Sequence, residues 1–287
     1  MWLVLSLISA LSDSSKNILA KKNSASMNSV VATWIWLFYS MAVLVPAAIL
    51  LGKTGFPDKV FWTAFSIRIV LEVAALILYV TALKISNLSL SLPMLSFSPL
   101  FIIAISFVIN GEFPKPLSLV GVASVVIGAY FLNFKKGERF YQPVLSVIRD
   151  KGSLMMLCVA FLWSFTSSLH KVAIEHSNPY FYSGLSAVVL TIIFTPLAFI
   201  SSRKDFVKAI KIENISKLSA TGILDGLAIL SQMLAQGLTL TVLVVSIKRM
   251  STVFSAIMGR IYFKEAIKNR IVPIIIMVLG VVLISIS

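Results

Sequence analysis

The sequence predicts an all-α integral membrane protein of about ten transmembrane helices in two inverted five-helix repeats. Three observations carry this. The 287 residues are 58% hydrophobic and only 13% charged, against roughly 25% charged in an ordinary soluble protein. Mean hydropathy is +0.96, more apolar surface than one soluble core can hide. Ten apolar stretches, each close to the ~20 residues that cross a bilayer, follow one another with short polar joints, and the second half of the chain repeats the first.

The first span, 2–20, carries Ser6, Asp13 and Asn17 at i, i+7 and i+11, with Lys16 three residues from Asp13. The second, 28–51, holds Trp34 and Trp36, read as interface or packing aromatics. In the third, 60–83, Arg68, Glu72 and Tyr79 share a face. The fourth, 87–109, contains Pro93 and Pro99, each of which removes a backbone hydrogen bond and favours a kink. The fifth, 116–134, offers Gly121, Ser124 and Gly128 for close helix contact, within the chain or between two protomers. The sixth, 152–173, includes Trp163 and ends on His170 and Lys171, where an interfacial snorkelling role is expected. The seventh is 179–201. The eighth, 217–237, aligns Asp225, Gln232 and Gln236. The ninth, 240–262, aligns Thr241, Lys248, Thr252, Ser255 and Gly259, with Arg249 turned away. The tenth, 271–287, brings Gly280.

The joints are short: "GKTGFPDK" at 52–59, "GEFPKP" at 111–116, "KKGERFYQP" at 135–143 and "SSRKDFVKAIKIENISK" at 201–217. They leave no room for a sizeable extramembrane domain, so the function lies within the bilayer. Of the 25 Lys and Arg residues, sixteen fall in the joints of one side and four in those of the other. By the positive-inside rule the 135–151 connector is cytoplasmic and both termini face outside, in the plasma membrane. The net charge of +14 is thus a topology signal and no sign of nucleic-acid binding. The lone Cys158 excludes an internal disulfide framework, and no metal cluster or cofactor is called for.

Displaced by 150 residues, apolar and polar positions alike fall into register: Leu7 meets Leu157, Ala10 Ala160, Ser14 Ser164, Lys21 Lys171, Asn28 Asn178 and Pro46 Pro196. Further on, "NGEFPKPLSLVGVASVVIGAYFL" at 110–132 parallels "FKEAIKNRIVPIIIMVLGVVLIS" at 263–285. The units are 1–134 and 152–287, joined by 135–151. Five helices per unit is odd, so the second unit enters the membrane from the opposite side. Transporters built this way bind substrate at the midplane between halves.

In "SPLF" at 98–101 and "GE" at 111–112, then "STVF" at 251–254 and "KE" at 264–265, the chain resembles the drug/metabolite transporter superfamily, in its ten-helix EamA-type branch. "ALSDSSKNILAKK" at 10–22 and "AFLWSFTSSLHK" at 160–171 are similar to that family's opening helix in each half. The resemblance covers essentially the whole chain. It implies carrier-type transport of a small metabolite, often export, without implying one substrate. Relatives are usually drawn with cytoplasmic termini, opposite to the charge count, which is kept here because it reads this chain directly.

Polar lines on four spans must face one another or a watery cavity. Their bland reading is mutual neutralisation: Asp13 with Lys16, Arg68 with Glu72, and Lys248 or Arg249 with Asp225 or Glu72. The functional reading makes Lys248, Arg249, Thr252, Ser255, Gln232, Gln236, Tyr79 and Trp163 a substrate site. Asp13, Lys16, Asn17, Arg68, Glu72 and Asp225 then form a charge network in which a carboxylate carries a coupling proton. Two adjacent cations near mid-membrane, each costing about 2.5–3.5 kcal/mol, suit an anionic or zwitterionic metabolite such as an amino acid. Glu112 and Glu265 read as helix-terminus anchors. No nucleotide-binding loop, HExxH or GxSxG occurs, which argues against direct ATP drive and against an intramembrane enzyme. A lipid-headgroup flippase or a channel stays open beside the carrier, as do a monomer and a homodimer.

Overall fold

The computed structural model describes residues 1–23, 27–53, 55–85, 91–132, 145, 150–263 and 270–287. The first half comprises α1 (Trp2–Asn23), α2 (Ser29–Leu51), α3 (Lys59–Ile85), a 3₁₀ segment (Leu92–Phe97) leading into α4 (Ser98–Asn110), and α5 (Pro116–Leu132). The second comprises α6 (Lys151–Glu175), α7 (Pro179–Ser201), the short α8 (Arg203–Ile210), α9 (Ile212–Gln236), α10 (Thr241–Lys248), α11 (Met250–Phe263) and α12 (Ile271–Ser285). Seven of the spans are long and apolar enough to cross a bilayer. The fifth and tenth, α5 and α12, are apolar but shorter. α1 has the length, but its charged residues dilute its hydropathy.

Residues matched by the repeat do matching work. Asn28 starts α2, its side chain accepting the Val30 N–H at 2.9 Å; Asn178 starts α7 by accepting that of Phe181 at 2.8 Å. Such caps satisfy donors that a helix start leaves free. Pro46 and Pro196 sit inside these two helices. Gly111 ends α4 in the left-handed conformation, φ 67°, which glycine adopts without a Cβ penalty.

The inversion is visible in the packing. α1 lies along α9 and, reciprocally, α6 along α3. α2 pairs with α7 and α5 with α12. The Asn28 N–H donates to Asp205 at 2.8 Å, joining the start of α2 to the residues just past α7. Lys115, just before α5, donates to the Ser287 carbonyl at 2.6 Å, just past α12. Both pairs are therefore antiparallel. At the face carrying Lys115, Asp58 meets His176 at 2.7 Å. The Phe61 N–H and the His176 ring lower the Asp58 carboxyl pKa from its ordinary value.

Four expectations are corrected. The ninth span is not one continuous helix but breaks into α10 and α11 at Arg249. Pro93 and Pro99 do not kink a helix from within; they stand in the first turns of the 3₁₀ segment and of α4, where a missing N–H costs nothing. The 201–217 joint holds α8, capped by Ser202. The glycines of α5 and α12 face each other, since a Cβ on Gly121 would lie 2.7 Å from the Gly280 carbonyl oxygen. Those faces are consumed within the chain and are not free to pair protomers. Most of the 135–151 connector lies outside the described residues.

The repeat symmetry is broken at one seam. α2 packs closely along α9, yet the equivalent pair, α7 and α3, barely touches. α3 and α7 meet through Phe61 and Phe65 against Phe181 and Tyr182, near the end marked by Asp58.

Candidate functional site

Lys16 is the hub of the polar centre. Its ammonium lies 2.7 Å from Asp13 on its own helix and 3.0 Å from Asp225 on α9. The Trp36 ring of α2 stands 5.0 Å from it, within cation–π range. A charge out of water is tolerable only with such partners. Asn17 reaches Asp13 only weakly, at 3.5 Å, and is exposed although it lies within a span. The Asp13–Lys16 pair is thus present. The partner of Asp225 is Lys16 rather than Lys248 or Arg249.

Those two cations have neutral partners. Lys248 donates to Gln232 Oε1 at 2.6 Å, and Arg249 donates to the Ser98 hydroxyl. Among the described residues neither has a carboxylate oxygen within 4.0 Å. The break at Arg249 decides what else they meet. Bonds from the Arg249 N–H to Ser246 and from the Thr252 N–H to Arg249 are of the i→i+3 kind, both 3.1 Å. Such a turn advances by a third of a circle per residue instead of the α-helical 1/3.6, so the stripe drawn through the ninth span does not continue. Thr252 turns its hydroxyl to the Arg249 carbonyl at 2.8 Å and lies 3.9 Å from Met277 of α12. Ser255 meets Ser14 of α1 at 3.0 Å. No hydrogen bond among the described residues joins Thr252 or Ser255 to Lys248.

On the α3 side, Arg68 and Glu72 pair loosely at 3.8 Å. The guanidinium lies 5.9 Å from the Tyr182 ring, and Tyr182 is bonded to His170 Nδ1. Tyr79 packs on Trp163 with ring centroids 5.5 Å apart. Gln236 is fully buried, with neither amide atom bonded.

His170 does not snorkel, whereas Lys171 reaches the joints at the end of its span. His170 is buried. Lys171 forms an ion pair with Glu112 at 2.6 Å and donates to the Thr239 carbonyl at 2.8 Å. Glu112 accepts the Thr241 N–H, anchoring a helix start as its position suggested. Glu265 lies outside the described residues.

Sequence reasoning missed Trp36, Ser98, Ser251, His170 and Tyr182. For two of these the signal was present: Ser98 and Ser251 open "SPLF" and "STVF". The first serves Arg249, and the second is buried at the start of α11. Of two surface recesses, one of about 350 Å³ is lined by Thr63, Ile67, Ile109 and Leu169, and one of about 490 Å³ surrounds Gly52 and Phe56. Neither is lined by Lys16, Lys248 or Arg249.

Two interlocked, inverted halves enclosing an ionised centre define a multi-pass membrane protein of the transporter class. The chain belongs to the EamA-like transporter family, whose model matches it twice, over residues 1–134 and 150–286. A solved structure titled only "Crystal structure of protein" shares the fold, with a TM-score of 0.80, 16% identity, and coverage of 99% of this chain and 97% of that one. No curated protein sequence matches.

Proposed function

We propose that the protein is a secondary carrier of the plasma membrane that exports a small anionic or zwitterionic metabolite, such as an amino acid, by alternating access. The single observation carrying this reading is the neutral partnering of Lys248 and Arg249. Lys16 is saturated by two carboxylates, whereas the adjacent pair holds only an amide and a hydroxyl. In a low-dielectric interior a cation without a counter-ion attracts an anion far more strongly than in water. A carboxylate or phosphate of the cargo would supply that counter-charge, and Asp13 or Asp225 would hand over the coupling proton.

The test is uptake and efflux by purified protein in liposomes against a metabolite panel, with and without a pH gradient. Lys248→Gln should raise the half-saturating concentration of the transported anion while folding normally. If Lys248→Gln transports with wild-type affinity, or if only cations are carried, the reading is wrong.

A further inference from the structure

Lys16 shows what a structural interior cation looks like in this protein: two carboxylates and an aromatic face close around it. Arg68 is different. It is only 6% exposed, yet its Nε and Nη1 have no acceptor. Its Nη2 approaches Glu72 no closer than 3.8 Å, too long for a hydrogen bond. A guanidinium presents five N–H donors in a rigid fork, and leaving charged donors unmet in the interior is costly. The fork matches the paired oxygens of a carboxylate or phosphate.

The surroundings point the same way. Tyr182 supports the guanidinium from α7 at 5.9 Å and is itself held by His170 of α6. Ser186, one turn after Tyr182, is buried with its hydroxyl unbonded. Arg68 and Tyr182 stand on either side of the α3–α7 seam, the interface that is loose where its repeat counterpart is tight. Parting of that seam would give an incoming group room.

We propose that Arg68, with Tyr182 and His170, forms a second oxyanion-binding station, which receives a carboxylate or phosphate group of the cargo at the α3–α7 seam. It rests on the reading of the centre as the transport path but is independent of Lys248.

The experiment is calorimetric titration of purified protein in neutral detergent with inorganic phosphate and, separately, acetate, alongside thermal melts. Wild-type protein should bind at least one of them, and Arg68→Gln should weaken that binding about tenfold without a matching loss for a neutral solute. Arg68→Lys keeps the charge but not the fork and should recover only part of the affinity. Loss in Arg68→Gln with normal binding in Lys248→Gln would sustain the station and sink the Lys248 assignment; the reverse would sink the station alone. Wild-type protein that binds neither anion overturns it. Should Arg68→Gln fail to fold, undiminished phosphate affinity in Arg68→Lys overturns it as well.

Discussion

Glu112, in the joint that follows α4, accepts the backbone N–H of Thr241, the first residue of α10, at 2.9 Å. Its other oxygen holds Lys171 at 2.6 Å. One carboxylate of the first half thus fixes the helix of the second half that carries Lys248. Glu112→Gln keeps an acceptor for Thr241 and loses the ion pair; Glu112→Ala loses both. Thermal melts in detergent should show Glu112→Ala less stable by about 1–3 kcal/mol, with Glu112→Gln between it and wild type. Equal melts for all three would mean that the anchor contributes nothing.

Lys16 is shared by Asp13 and Asp225, which ranks two substitutions. Lys16→Met leaves two interior carboxylates unpaired and should cost about 3–5 kcal/mol. Asp225→Asn leaves Lys16 with Asp13 and should cost less, about 1.5–3 kcal/mol. Asp225→Asn should fold yet lose transport or its dependence on pH. Wild-type rates and pH response in that variant would remove Asp225 from the mechanism.

The serine that opens the first repeat motif accepts from a central cation. Ser98→Ala, which strips a hydrogen bond from Arg249, should impair transport more than Thr252→Val, whose hydroxyl serves its own backbone. Initial rates in liposomes compare the two; a larger defect in Thr252→Val would restore Thr252 to the site.

Alanine is the better helix former, yet Gly280→Ala should destabilise the protein. The added Cβ would meet the Gly121 carbonyl oxygen at 2.7 Å, and overpacking costs about 1–3 kcal/mol. Gly237→Ala is the control, with nothing nearer than 3.5 Å, and should melt like wild type. Comparable melts for Gly280→Ala and Gly237→Ala would contradict the close α5–α12 contact.

By the cation bias, Ser287 is predicted to face outside the cell. A reporter active only in the cytoplasm should stay silent when fused after Ser287. A strong signal would reverse the orientation and leave the inverted packing untouched.

Hydropathy, joint composition and the 150-residue repeat are properties of the chain read locally, so the sequence by itself determined the membrane class, the span order and the inverted plan. Asn28 and Asn178 were in register because each caps its own helix a few residues away. The Asp13–Lys16 and Arg68–Glu72 pairs were legible for the same reason: both lie within one helix. Which cation answers Asp225 was not. That choice depends on α1 rather than α10 running alongside α9 at that level, and helices 209 residues apart meet only in the folded chain. The ninth-span stripe assumed one uniform helix. The tight turn at Arg249 changes the angular step, sending Thr252 towards α12 and Ser255 towards α1. The burial of His170, the open donors of Arg68 and the loose α3–α7 seam are likewise relations between helices. The tertiary structure alone decided them, because they depend on which helix faces pack together and which do not.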